Sequence, residues 1–108
     1  MHTIVDLTII PIGVGVSLST YIAACEQVLA DSGLTYELHA NGTDVEGEWE
    51  DVFAAIRRCH ETLHAMGVPR IHTTIKLGTR SGEVQTMAGK LNSVREKIAD
   101  RDQKKKGR

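Results

Sequence analysis

The dipeptide Asn41-Gly42 constrains the fold more than any other feature, because it is a preferred two-residue hairpin turn standing between two strand-like stretches. On its near side Thr35 to Ala40 alternates Tyr36 and Leu38 against Glu37 and His39. On its far side Thr43 to Glu48 is expected to return antiparallel. A two-residue loop here sets Leu38 opposite Val45, His39 opposite Asp44 and Glu37 opposite Glu46.

Each half of the chain adds a strand and a helix to this hairpin. The first strand lies in HTIVDLTIIP, where Val5, Leu7 and Ile9 point one way and His2, Asp6 and Thr8 the other. After the PIGVG turn, Ser17 or Ser19 is placed to cap a helix carrying Tyr21, Ile22, Cys25, Val28 and Leu29, which Ser32-Gly33 ends. Past the hairpin a second helix starts near Trp49, with Glu48, Glu50 and Asp51 at its positive end and Val52, Phe53, Ile56, Cys59 and Leu63 as its apolar stripe. Gly67 and Pro69 stop it, Arg70 to Leu77 forms the last strand, and a third helix carries Met87, Leu91, Val94 and Ile98.

The order βαββαβ predicts an α+β ferredoxin-like plait with an extra C-terminal helix, its four-stranded antiparallel sheet covered by helices on one face. The other face then displays Asp6, Thr8, Glu37, His39, Asp44, Glu46, Glu48, His72, Thr74 and Lys76, an acidic excess. Like charges directly opposed across strands cost stability unless a cation lies between them. That face is therefore either a solvated surface, a subunit interface or a ligand platform.

The composition fits one small domain. A chain of 108 residues that is 41% hydrophobic and 25% charged supports one modest core, and with only 4% aromatic residues that core must be largely aliphatic. Residues 1–100 are read as the domain, with a net charge of −5, and residues 101–108, RDQKKKGR, as a basic tail expected to be a solvated, frayed helix end. The tail has no interleaved aromatic residue and the body is acidic, so nucleic acid and membrane partners are not expected. Cys25 and Cys59 fall on apolar stripes and read as reduced core residues, which together with the lack of a leader-like or membrane-spanning stretch makes the cytoplasm the expected location.

One motif argues for catalysis. His60, Glu61 and His64 make H-E-x-x-H within HETLHAMG, the pattern of a zinc-dependent hydrolase in which two histidines one helical turn apart bind the metal and the glutamate activates water. A third ligand is needed, and Arg70 stands where the longer pattern would supply one. Helical geometry of about 100° per residue puts both histidines on the border of the apolar stripe and Glu61 in solvent. No nucleophile and base stand at recognisable spacing elsewhere, and an EF-hand alignment of ELHANGTDVEGE fails at Glu37 and His39.

The stretches PIGVGVSLSTY, YELHANGTDVEGEWEDV and RIHTTIKLGTR resemble the three signature blocks of the small thiamine-binding protein family, the middle block being the specific one. The resemblance implies a ferredoxin-like fold, assembly as dimers or tetramers, and non-catalytic binding of thiamine or its hydroxymethylpyrimidine part, with no other cofactor and no metal. Carboxylates on the open face would offset the thiazolium charge, and Trp49 could present a π face to it. Glu46 is the expected partner of the pyrimidine edge. Ser17, His39, Thr43, Thr74 and Lys76 are further expected contacts, and a symmetric partner could bring His72 or Lys76 into the same pocket. Two alternatives stand beside this reading: the zinc hydrolase, and a purely structural oligomerisation module.

Overall fold

The computed structural model describes residues 1–106 and has the expected element order: β1 (His2–Ile12), α1 (Ser19–Ser32), β2 (Thr35–His39), β3 (Gly42–Glu48), α2 (Trp49–Ala65), β4 (Arg70–Gly78) and α3 (Met87–Lys106). The strands form one antiparallel sheet in the order β2-β3-β1-β4, so the ferredoxin-like plait is present. The helix α3 runs through most of the basic tail to Lys106, and residues 107 and 108 of that tail lie outside the described residues. No helix among the described residues is long and apolar enough to cross a membrane.

Strand alternation builds the core. On β1, Thr3, Val5, Leu7 and Pro11 are buried while the residues between them are not, and β3 repeats the pattern with Thr43 and Val45. Against this face α1 contributes Leu29 and α2 contributes Val52, Ala55 and Ile56, all in one cluster with Val5, Leu7 and Val45. A second cluster joins Cys25, Cys59, Leu63 and Val68 where the two helices cross. Both cysteines are buried and unbridged, and the Cys59 thiol donates to the Cys25 carbonyl at 3.8 Å. Hydrogen bonding to Cys25 and burial push that thiol well above its ordinary pKa, which suits an inert core residue.

Three local features differ from expectation. The hairpin loop is Ala40-Asn41, which sets Leu38 opposite Thr43, Glu37 opposite Asp44 and Thr35 opposite Glu46, two residues away from the register an Asn41-Gly42 loop requires. Neither loop residue has a positive φ, so the left-handed turn that favours Asn-Gly is not formed. Gly42 serves another purpose: a Cβ there would stand 2.6 Å from the Leu7 carbonyl oxygen and 2.8 Å from Thr8 Oγ1. Secondly, Leu18 stands at the N-cap of α1 and no side chain caps the helix, so neither Ser17 nor Ser19 plays that part. Lastly, α3 does not join α1 and α2. Its first residue meets the opposite side of the sheet, where the Met87 N–H donates to Glu46 Oε2 at 3.2 Å, and Leu91, Val94 and Ile98 are left exposed.

Candidate functional site

On the open face the register aligns four charged residues across all four strands. Glu37 on β2 faces Asp44 on β3, Asp44 faces Asp6 on β1, and Asp6 faces Lys76 on β4. Three carboxylates thus stand side by side with one lysine at the end of the row. His39 leans over them from the hairpin end, its Nε2 3.2 Å from Asp6 Oδ1 and 3.4 Å from Asp44 Oδ1. The Asn41 N–H donates to His39 Nδ1 at 3.3 Å, so a neutral ring carries its proton on Nε2 and donates it to the aspartates. Asp6, His39 and Asp44 are the one group of three among the described residues whose ligand atoms converge as metal binding would require.

Beside this row the 79–86 loop and the start of α3 fold back and wall off a cavity of ≈ 690 Å³, lined by Ile4, Asp6, Glu37, Asp44, Lys76 and Lys90 among others. Glu46 sits in the next row with its side chain only 11% exposed. Its Oε2 is engaged by the Met87 N–H and lies 3.4 Å from His2 Nε2. The glutamate therefore anchors the loop that forms the cavity wall.

The seven residues expected to contact a ligand do not all converge. His39, Glu46, Thr74 and Lys76 lie on the open face, with Thr74 on the exposed row opposite Thr8. Thr43 lies on the opposite side of the sheet: it neighbours Asp44 in sequence, and alternation turns it toward the helices, where its hydroxyl donates to Glu26 Oε1 at 2.5 Å. Ser17 is exposed in the segment that leads into α1. Trp49 borders neither of the two large cavities and instead stacks on Phe53, ring centroids 5.0 Å apart.

A second cavity of ≈ 450 Å³ lies on the helix side, between α1, β1 and the hairpin end. It exists because β3 pairs with β1 only as far as Leu7, whereas β1 continues beside β4 to Ile12. The acid in its lining, Glu26, is absent from the sequence-based expectations although a signal for it existed. It stands four residues after Ile22 and three before Leu29, on the apolar face of α1.

The H-E-x-x-H residues have structural partners. His60 Nε2 is 2.6 Å from Thr73 Oγ1, tying α2 to β4, and His64 Nδ1 donates to the Val68 carbonyl at 2.8 Å. Glu61 pairs with Arg57 at 3.0 Å in solvent, and no third potential ligand converges with either histidine among the described residues. Gly67, at φ 93°, closes the helix: its N–H bonds the His64 carbonyl and that of Val68 bonds the Leu63 carbonyl, the paired bonds of a Schellman ending.

Burial pushes the His60 imidazole below its ordinary pKa, and the neighbouring His64 adds repulsion. The unfolded chain then takes up a proton before the folded one does. This contribution to stability is complete above the unfolded value of about 6.5 and is lost as pH falls through the lower folded value. Urea midpoints should accordingly decline from about pH 8 to about pH 5, and His60→Gln should flatten part of that slope. An identical slope in the variant would assign the acid sensitivity to other groups.

The chain is similar in sequence and in fold to known proteins. A family model described as thiamine-binding protein matches residues 5–95. A UPF0045 protein of Synechocystis is 52% identical over 94 residues, covering 87% of this chain and 78% of the relative. The UPF0045 protein ECM15 of Eremothecium gossypii is 38% identical over 101 residues, covering 93% and 96%. Among solved structures, MJ1052 of Methanocaldococcus jannaschii superposes with a TM-score of 0.80 at 28% identity, covering 88% of this chain and 97% of that one. A Thermotoga maritima protein assigned provisionally to thiamine biosynthesis or salvage shares the fold, with a TM-score of 0.75 at 19% identity over 87% of this chain and 99% of that one.

Proposed function

Because this chain belongs to the thiamine-binding protein family, we propose that it is a non-catalytic binding protein for thiamine or its hydroxymethylpyrimidine moiety, acting as carrier, buffer or sensor. The observation that carries this reading is the carboxylate row Glu37, Asp44 and Asp6 at the edge of the open-face cavity. A fixed thiazolium charge placed over the row relieves repulsion that the sheet otherwise bears. Lys76 closes one end of the row, Glu46 in the next row holds the loop that walls the cavity, and His39 supplies a hydrogen-bonding group that orients the two aspartates.

Isothermal titration tests it. Thiamine should give saturable heat, and Asp6→Asn with Asp44→Asn should weaken it about tenfold at low salt, with a smaller effect near 1 M salt where surface charges are screened. Hydroxymethylpyrimidine lacks the cation and should lose less. No saturable heat with either compound at millimolar concentration would remove the reading and leave the oligomerisation module.

Self-association is part of the same proposal. Leu91, Val94 and Ile98 recur at helical spacing on α3, and all three are exposed on a helix that stands away from α1 and α2. A second copy covering this stripe would give a dimer, or a tetramer through two such contacts. Light scattering should report a multiple of the chain mass, and replacing all three residues with serine should return it to a monomer. The buried, unbridged cysteines support the cytoplasm as location.

A further inference from the structure

We infer that Cys25 and Cys59 form a peroxide-sensitive thiol pair, which closes to a reversible disulfide joining α1 to α2. The two stand 34 residues apart in sequence yet share one small cluster with Leu63 and Val68 where the helices cross. The Cys59 sulfur lies 3.8 Å from the Cys25 carbonyl oxygen and within hydrogen-bonding reach of the Cys25 sulfur. Contact of the two thiols matters because a disulfide cannot bridge side chains that point apart.

The two thiols are not equivalent. Cys25 keeps 7% of its surface exposed and lines the helix-side cavity, whereas Cys59 is fully buried and stands behind that lining. A small oxidant entering the cavity therefore meets Cys25 first. The hydrogen bond from Cys59 holds the Cys25 thiol below its ordinary pKa, against burial and the nearby Glu26, so Cys25 is also the better nucleophile. Its sulfur attacks one peroxide oxygen, the O–O bond breaks, and the departing hydroxide takes the proton shed by Cys25 and leaves as water. Cys25 is then a sulfenic acid. Cys59, inert while it donates to that sulfur, next attacks it: the S–S bond forms, the S–O bond breaks, and the Cys59 proton leaves with the hydroxyl as a second water. Each disulfide consumes one peroxide. In a reducing compartment small thiols restore the open pair, so the bond is transient there and records a passing oxidant.

The test exposes the full chain to millimolar hydrogen peroxide, alkylates it in denaturant, and follows intact mass, peptide map and urea midpoint. The oxidised monomer should lose two hydrogens and both alkylatable thiols, yield a peptide linking positions 25 and 59, and revert with dithiothreitol. Its urea midpoint should rise, because the bond constrains the unfolded chain. Cys59→Ser should stop at a sulfenic acid on Cys25 that dimedone traps, whereas Cys25→Ser should leave Cys59 unmodified at the same dose. The measurements on the parent chain stand alone if either serine variant fails to fold. Two thiols still alkylated after peroxide, bonds formed only between chains, a urea midpoint lowered by oxidation, or Cys59 oxidised as fast in Cys25→Ser as Cys25 is in Cys59→Ser would each overturn the inference. None of these outcomes bears on whether thiamine occupies the open face.

Discussion

Leu63→Ala should cost about 2–5 kcal/mol of folding stability, while Glu61→Ala, two residues away in the same H-E-x-x-H motif, should change it by no more than about 0.5 kcal/mol. Leu63 is fully buried, packs with Cys25, Cys59 and Val68, and offers its carbonyl to the Val68 N–H at the helix end. Removing its side chain opens a cavity where α2, α1 and the start of β4 meet, and also loosens the apolar contact that accompanies a Schellman ending. Glu61 loses only an exposed pair with Arg57, an interaction of small worth in water. Urea denaturation of the two variants against the parent measures both. A large loss for Glu61→Ala with little for Leu63→Ala would mean that the exposed pair with Arg57, and not the packing of Leu63, holds this end of the helix.

Gly42→Ala should destabilise by about 1–3 kcal/mol, and Gly47→Ala by less than about 1 kcal/mol, although both sit on β3 and both lie in close quarters. The difference lies in what an added methyl meets. At position 42 it meets the Leu7 carbonyl oxygen at 2.6 Å, which is backbone of the central strand and cannot move without breaking the ladder. At position 47 the obstacle is the end of the Leu34 side chain, which can rotate away. Thermal or urea midpoints of the two alanine variants decide it. Equal losses would mean that the hairpin end yields as readily as a leucine methyl.

Residues 41 and 42 also show how far the fold could be read in advance. Alternation in β1, β3 and β4 identified the open-face residues correctly even though the hairpin register was off by two, because a shift of two preserves which side each residue faces. The error arose from a local signal with a non-local cause. Gly42 is required by the approach of β1, a strand some thirty-five residues earlier, and that contact leaves no mark on the hairpin sequence itself.

The site was legible to the same degree. The acidic row followed from strand parity, but Thr43 was grouped with residues from which that parity separates it, and Trp49 found Phe53 one turn along its own helix. The folding-back of the 79–86 loop onto Glu46 depends on one backbone N–H, which no side-chain pattern encodes. Glu26 was accessible to periodicity. A carboxylate between Ile22 and Leu29 on the face of α1 that meets the sheet is a conflict between pattern and chemistry, and such conflicts mark places where a fold accommodates something besides its own stability.

The central position of β1 also governs the order of assembly. Its two partners are β3, about forty residues later, and β4, about sixty-five residues later, so neither edge of the first strand can be satisfied by local contacts. Closing loops of that length costs entropy before any ladder bond repays it, and topologies dominated by such pairings fold more slowly than helical ones of equal size. During synthesis β1 leaves the ribosome with both edges unpaired, gains β3 once the hairpin has emerged, and stays open on its second edge until residues 70–78 follow. Truncation before β4 would therefore expose a long apolar edge on a nascent chain, an aggregation-prone state that the complete chain passes through only briefly.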